Sequence, residues 1–256
     1  MKAPGAPLKK TIRLLAPAVF WLGLWWLAAA LVDQELFIPG PVTVLRRLAE
    51  LTVTARFWRL TAVTLLRIVG GAAAGVAAGV LAAALTHASR LADMLLSPAL
   101  RVVRAVPVAS FIILVLLWVG NSTVPVVICA LMVLPVVWES VRAGLAAPDP
   151  LLLEMAGAYD MSLGRRVRYI YLPYLRPHLR AGVLSSIGLA WKSGVAAEVL
   201  CIPREAIGSQ VYYAKLYLDT PALFAWTFVV VVLSLLLEAG ARRLLAREEG
   251  DEDDAV

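Results

Sequence analysis

The sequence predicts an all-α integral membrane protein with six transmembrane helices, and three observations carry that prediction. Composition comes first: of 256 residues 61% are hydrophobic and only 16% charged, with a mean hydropathy of +0.81. Soluble domains carry about 45–50% apolar and about 25% charged residues, so the surplus has to be solvated by lipid. Second, apolar runs recur along the chain, long enough at ~1.5 Å per residue to cross a hydrocarbon core of about 30 Å. Third, the cations are unevenly placed. With six spans and both termini in the cytoplasm, 16 of the 24 lysines and arginines fall in cytoplasmic segments or at the adjoining span ends, 6 outside, and 2, Arg67 and Lys192, deeper within spans. This positive-inside bias explains the net charge of +6 without nucleic acid as a partner.

Lys2, Lys9, Lys10 and Arg13 precede the first span, Leu14 to Val32. Its length and its Trp21, Trp25 and Trp26 favour an uncleaved helix over a signal peptide cut near Ala28-Ala29-Ala30. The polar segment Asp33 to Arg59 contains an amphipathic stretch, Val42 to Leu51, expected to lie on the membrane surface. Residues 1–60 thus form an N-terminal region of tail, first span and external helix. In the second span, Thr61 to Thr86, Gly71, Gly75 and Gly79 recur every four residues. One helix face is therefore nearly bare backbone, which allows close approach of a neighbour in lipid.

The segment from His87, with Arg90, Arg101 and Arg104, is cytoplasmic in this scheme. A third span follows from about Val102 to Val119, with Pro107 kinking or starting its helix. Gly120-Asn121-Ser122 makes a tight turn. The fourth span, Val124 to Val141, is expected to be broken at Pro135 and carries Glu139 near its cytoplasmic end. The fifth, Leu175 to Leu200, contains Lys192 and Glu198. Cys201 to Asp219 reads as a polar outer loop whose Tyr212, Tyr213 and Tyr217 suit the interfacial belt. A sixth span begins with Ala222 to Leu237 and ends near Arg242 and Arg243, and the acidic tail 246–256 is expected to be disordered.

The stretch Asp149 to Pro173 is the polar, basic interlude around which the chain is organised. Asp149 before Pro150 is a helix start, since its carboxylate can cap free N–H groups and proline suits the first helical position. Leu151, Leu152, Met155 and Tyr159 then recur at helical spacing. Ser162 can cap a second short helix made cationic by Arg165, Arg166 and Arg168, and Pro173 marks a boundary before the next apolar run. The segment is too short and polar to span a bilayer, and too patterned for a slack linker.

Glu154, Ala156 and Ile170-Tyr171-Leu172-Pro173 resemble the E-A-A, G, I-x-L-P loop of permease subunits of binding-protein-dependent ABC importers. The family's glycine falls six residues after the glutamate and its isoleucine ten residues after that glycine, as do Asp160 and Ile170 here. Met155 replaces an alanine and Asp160 the glycine, and aspartate tolerates turn conformations nearly as well. Leu36-Phe37-Ile38-Pro39-Gly40-Pro41 is similar to the F-P-S-P entry of the nitrate/sulfonate/taurine branch. Arg104-Ala105-Val106-Pro107-Val108-Ala109 is similar to the family's R-a-I-P-x-x-A helix opening.

The resemblance implies the type I importer permease fold, with a permease core over 61–245 and a coupling loop over 149–173. It further implies a second copy of the permease as partner (a homodimer), two cytoplasmic ATPase subunits that bind ATP and magnesium, and an extracytoplasmic binding protein. The chain itself would be a transport subunit in the inner membrane, with no cofactor and no enzyme activity of its own. Asp149, Leu152, Glu154, Met155, Ala156, Tyr159, Asp160, Arg165 and Arg166 are the implied coupling residues. The solute expected on this resemblance is a small anion such as nitrate, a sulfonate or taurine.

The chemistry of the chain is consistent with that division of labour. None of the five lysines follows a glycine, so no GxxxxGK[ST] phosphate loop occurs. Cys129, Cys201, His87 and His178 form no metal or disulfide pattern. Ionisable groups inside spans are costly and are candidates for function. Lys192 and Glu198 are six residues apart, roughly 240° around a helix, so they cannot pair on one face. Pairing of these charges with Arg67 and lining of a translocation path by Arg67, Pro107, Trp191, Lys192 and Glu198 are both open. An ion-gradient-driven transporter or channel is the alternative function, for which Glu139 and Glu198 offer a thin set of embedded carboxylates.

Overall fold

The computed structural model describes residues 6–253, with side chains from 16 to 245. The described residues form helices and turns, with no strand among them. In chain order they are α1 (Ala6–Val32), α2 (Pro41–Thr52), α3 (Ala55–Ala88), α4 (Arg90–Ala105), α5 (Val108–Leu116), α6 (Val124–Ala146), α7 (Pro150–Ala158) and α8 (Leu163–Arg166). A π-helical turn (Val167–Tyr171), α9 (Leu172–Cys201), α10 (Ile207–Leu216) and α11 (Thr220–Asp253) complete the chain. Four helical stretches are long and apolar enough to cross a membrane: Ala55–Ala88, Val124–Ala146, Leu163–Cys201 and Thr220–Leu245. The bent pair α4–α5 supplies a fifth and the apolar stretch Ala16–Val32 of α1 lies just under the length required, in keeping with six spans.

Two compact units are distinguishable, Met1–Arg59 with Gln210–Val229, and Leu60–Ser209 with Val230–Val256. In the first, the indole N–H of Trp25 donates to the Pro39 carbonyl at 3.1 Å, and its ring stacks on Phe224. Arg47 on α2 pairs with Asp219 at 2.9 Å. Asp219 also caps α11 by accepting from the Ala222 N–H, while the Thr220 hydroxyl donates to the Leu36 carbonyl at 2.6 Å.

The second unit is built around α6, 56% of whose most apolar window is buried, against 28% for α3. The glycine face of α3 does what its spacing predicts. A Cβ on Gly71, Gly75 or Gly79 would lie 2.6, 2.7 and 2.8 Å from the carbonyl oxygens of Val126, Ala130 and Leu134 on α6. The backbones therefore meet with no room for a methyl group. Small residues do the same on the other side of α6: a Cβ on Gly182 of α9 would sit 2.7 Å from that of Ser140, whose hydroxyl donates to the His178 carbonyl. Trp138 and Trp191, both nearly inaccessible, fill the remaining space, each indole N–H satisfied, by the Thr86 hydroxyl and the Val230 carbonyl.

Several expectations are corrected. The stretch Val102 to Val119 is not one span: α4 and α5 meet at 106°, with Pro107 as the N-cap of α5. Proline disfavours helical geometry in the residue before it, and Val106 is extended. Pro135 does not break α6, which runs through it, because packing on both flanks over-determines the helix. Pro173 does not end the basic segment either. The helix continues from Leu163 to Cys201 because the π turn, with the Leu172 N–H reaching back to the Val167 carbonyl, widens the backbone where the proline ring would otherwise clash. The segment Cys201 to Asp219, expected as a polar loop, contains the helix α10, and its Ala206, Ile207 and Ser209 are fully buried. At the C-terminus the backbone is helical to Asp253, where disorder was expected for 246–256; a formed helix extends without a new nucleation cost. The last three residues of that tail lie outside the described residues.

Candidate functional site

The interlude between α6 and α9 folds as a short rigid hairpin of helices. Asp149 caps α7 by accepting from the Leu151 N–H at 2.9 Å, with Pro150 at the first position. At the far end the Met161 N–H reaches the Ala156 carbonyl at 2.9 Å, and the Asp160 N–H the Gly157 carbonyl at 3.1 Å. This is the paired hydrogen-bond pattern of a helix closed by a left-handed residue. That residue is Asp160, with φ 45°, at the position where the resembling family carries glycine. Ser162 occupies the N-cap of α8 without bonding its backbone; its hydroxyl instead accepts from Arg165 Nε at 3.4 Å.

Arg166 plays a part that spacing did not reveal. Its Nε donates to the Met161 carbonyl at 2.8 Å and its terminal nitrogen to the Ala156 carbonyl at 3.2 Å. It staples α8 to the end of α7 and answers carbonyls that the helix end leaves open. Around this frame Ala156 is buried, whereas Leu151, Leu152, Met155, Tyr159 and Leu163 are exposed, Tyr159 and Leu163 by 80% and 79%. Glu154 and Arg165 are exposed on the same hairpin. The expected coupling residues therefore divide into a frame (Asp149, Ala156, Asp160, Arg166) and a presented face (Leu152, Glu154, Met155, Tyr159, Arg165).

The charged residues of the spans separate as the helical angle requires. Glu198 is fully buried. Its carboxylate accepts from Arg67 at 2.6 Å, from the Thr64 hydroxyl at 3.0 and 3.1 Å and from the Gly208 N–H at 3.2 Å. Arg67 also donates to the Glu205 carbonyl at 3.2 Å, and the Ile207 N–H to the Thr64 hydroxyl at 3.0 Å. The cluster thus binds the chain after α9 back onto α3. A Cβ at Gly208 would fall 2.5 Å from that of Glu198, so only glycine admits the contact. Pairing of Glu198 with Arg67 is thereby realised. Lys192, on another face of α9, is exposed and has no ion-pair partner among the described residues. Trp191 is buried beside it, and Pro107 is exposed at the α4–α5 bend.

Thr64 and Gly208 escaped the reading of the sequence. Thr64 lies three residues before Arg67 and so shares its helix face, a signal available once Arg67 was suspected. Gly208 gave no signal. Among the described residues, no group of histidine, cysteine, aspartate and glutamate is arranged to hold a metal.

Residues 75–249 match the family described as binding-protein-dependent transport system inner membrane component. The taurine transport system permease protein TauC of Escherichia coli (strain K12) is 26% identical, over 94% of this chain and 90% of its own. The putative aliphatic sulfonates transport permease protein SsuC of Bacillus subtilis (strain 168) is 25% identical over 90% and 84%. The riboflavin transport system permease protein RibX of Chloroflexus aurantiacus is 32% identical over 89% and 87%. Among solved structures, an amino acid ABC transporter crystallised with histidines aligns with a TM-score of 0.60 and 20% identity, covering 73% of this chain and 90% of that one; at this identity the likeness speaks for the fold.

Proposed function

Because the chain belongs to the family of binding-protein-dependent transport system inner membrane components, we propose that its α7–α8 hairpin is the surface on which the ATPase of the importer docks. The chain is a permease subunit of an ATP-driven importer, a transport subunit and not an enzyme, and ATP hydrolysis belongs to a separate subunit. One observation carries the docking assignment. Leu151, Met155, Tyr159 and Leu163 are exposed on a hairpin that is capped, closed and stapled from within. Apolar anchors held in a fixed geometry lose little entropy on binding, which suits a protein partner. Glu154 at the edge of the same face supplies charge complementarity, and ATP and magnesium sit in the partner.

Two copies of the permease around a central path, with both termini and the hairpin in the cytoplasm, complete the arrangement. The lone cation Lys192 supports it: an exposed ammonium within a span calls for a counterpart from outside its own chain, either a second copy or a water-filled path. The solute class follows the taurine and aliphatic sulfonate transport named for two of the relatives, a small sulfonate-type anion. ATP binding then acts through the hairpin, since a ligand shifts an equilibrium only by its different affinity for the two states.

The test is Glu154→Lys, reconstituted with its ATPase and binding protein. The variant is expected to retain folded spans while ATP hydrolysis no longer drives uptake; solute turnover at the parent rate overturns the assignment. Labelling of a cysteine at Ala158 is expected from the cytoplasmic side only. Transport unaffected by Lys192→Met would remove that residue from the path.

A further inference from the structure

Between α4 and α6 lies an open cavity of about 350 Å³ that the docking argument does not use. We propose that it is an anion-binding station for the transported solute, where Arg101 and Arg104 receive a sulfonate or carboxylate beside the anchored Arg142 and Glu139 competes with it for Arg104. The proposal rests on the chain being a permease for a small anion, and it names residues for that reading at one end of the bundle.

The lining supplies three guanidinium groups against one carboxylate, with Leu100 and Trp138 as an apolar wall. The three arginines are held differently. Arg142 is anchored: it donates to Asp93 Oδ1 at 2.8 Å and to the Ser97 hydroxyl at 3.0 Å, and lies over the Trp138 ring, 5.4 Å from its centre. Arg104 is bonded to Glu139, but both side chains are open to solvent, 60% and 59% exposed, and an exposed pair is worth little in water. Arg101 has no hydrogen bond or salt bridge among the described residues, and its charge acts on Asp93 only from a distance. One fixed donor, one displaceable and one with its N–H groups unengaged, around a cavity within the ~300–1,000 Å³ of small-ligand sites, make a place for an anion. The planar guanidinium fork matches a sulfonate or carboxylate by two parallel hydrogen bonds. An incoming anion takes Arg101 and draws Arg104 from Glu139, while Arg142 stays on Asp93.

A lipid phosphate presents the same oxygen chemistry, so the experiment separates the two sources. The permease is placed in nanodiscs of phosphatidylcholine alone and titrated calorimetrically with taurine and with sodium ethanesulfonate at constant ionic strength. Saturable binding is expected. Arg101→Gln should weaken it by about tenfold, the loss of one hydrogen bond to a charged group. Glu139→Gln should tighten it, because the internal competitor is gone. That opposite sign is what a merely structural role for these residues would not produce.

No saturable binding, an Arg101→Gln variant that titrates like the parent, or weakening by Glu139→Gln overturns the station. So does arginine-dependent binding of phosphatidylglycerol with none of the sulfonates, which would make the cavity a headgroup site. Failure here is distinguishable from failure of the permease reading. ATP-driven uptake by the parent complex with normal ATPase association leaves that reading intact, whereas loss of both in the parent removes it.

Discussion

The Glu198 cluster makes the sharpest quantitative prediction. The carboxylate is fully buried, and Arg67, whose side chain is 11% exposed, is its one ion-pair partner among the described residues. Arg67→Met therefore strands a negative charge that keeps only the Thr64 and Gly208 hydrogen bonds. Breaking a buried pair from one side costs about 3–5 kcal/mol. Glu198→Gln removes the charge but preserves the shape and much of the hydrogen bonding, and a lost charge-assisted bond is worth about 1.5–3 kcal/mol. Once the carboxylate is neutral, deleting Arg67 strands nothing, so the double variant should fall short of the sum by about 0.5–3 kcal/mol. The assay is denaturant unfolding of the four proteins in one lipid nanodisc composition, followed by circular dichroism. Costs that add to within ~0.3–0.5 kcal/mol would mean that the two residues act independently, and the cluster as described would be refuted.

Three further outcomes follow from particular contacts. Gly75→Leu puts a side chain where even a Cβ would be 2.7 Å from the Ala130 carbonyl; a loss of about 1–3 kcal/mol or more is expected from overpacking, read as a lower unfolding midpoint, while Leu66→Ala on the exposed face of the same helix should change little. Asp160→Gly should leave the α7–α8 closure intact, whereas Asp160→Val forces a β-branched residue into the left-handed region at about 1–3 kcal/mol and should raise the rate at which protease cuts the hairpin. Deletion of Tyr169 removes a residue from the π turn and rotates α8 by roughly 100° relative to α9; thermal stability of the spans should survive while stimulation of the partner ATPase is lost.

What the sequence disclosed and what it hid divide along the distance of the contacts involved. Spans, cap and turn are local. The Asp149-Pro150 start, the four-residue glycine repeat and the aspartate in a glycine's place each state their geometry within a few residues, and each appears as read. The family resemblance rested on such local pieces and was sound. The continuity of α9 through Pro173 was not legible, because a π turn depends on hydrogen bonds that composition does not encode. Pro135 and Pro107 look alike in sequence, yet one lies in an unbroken helix and the other begins a helix. What separates them is packing: Pro135 is buried, with close neighbours on both flanks of α6, while Pro107 is exposed. Glu198 was found as a costly charge, but its partners come from over 130 residues earlier and 10 later, and only the fold brings them to it.

The same long helix decides how far a push at the hairpin can travel. Leu163 to Cys201 is a run of 39 helical residues, roughly 58 Å at 1.5 Å per residue, and its far end is tied to α3 through Glu198. A rod held at one end moves least there and most at the other. Displacement of α8 is therefore felt most where α9 meets α6 through His178 against Gly144 and through Gly182 against Ser140. Those contacts have no spare volume, and packed interiors switch between arrangements instead of yielding gradually. On the proposed docking, the Ser140–Gly144 stretch of α6 would travel with α9, and α4 is held to that stretch by Arg142 on Asp93 and Ser97. The hairpin and the arginine-lined cavity, read independently from different residues, are thus mechanically joined through α6.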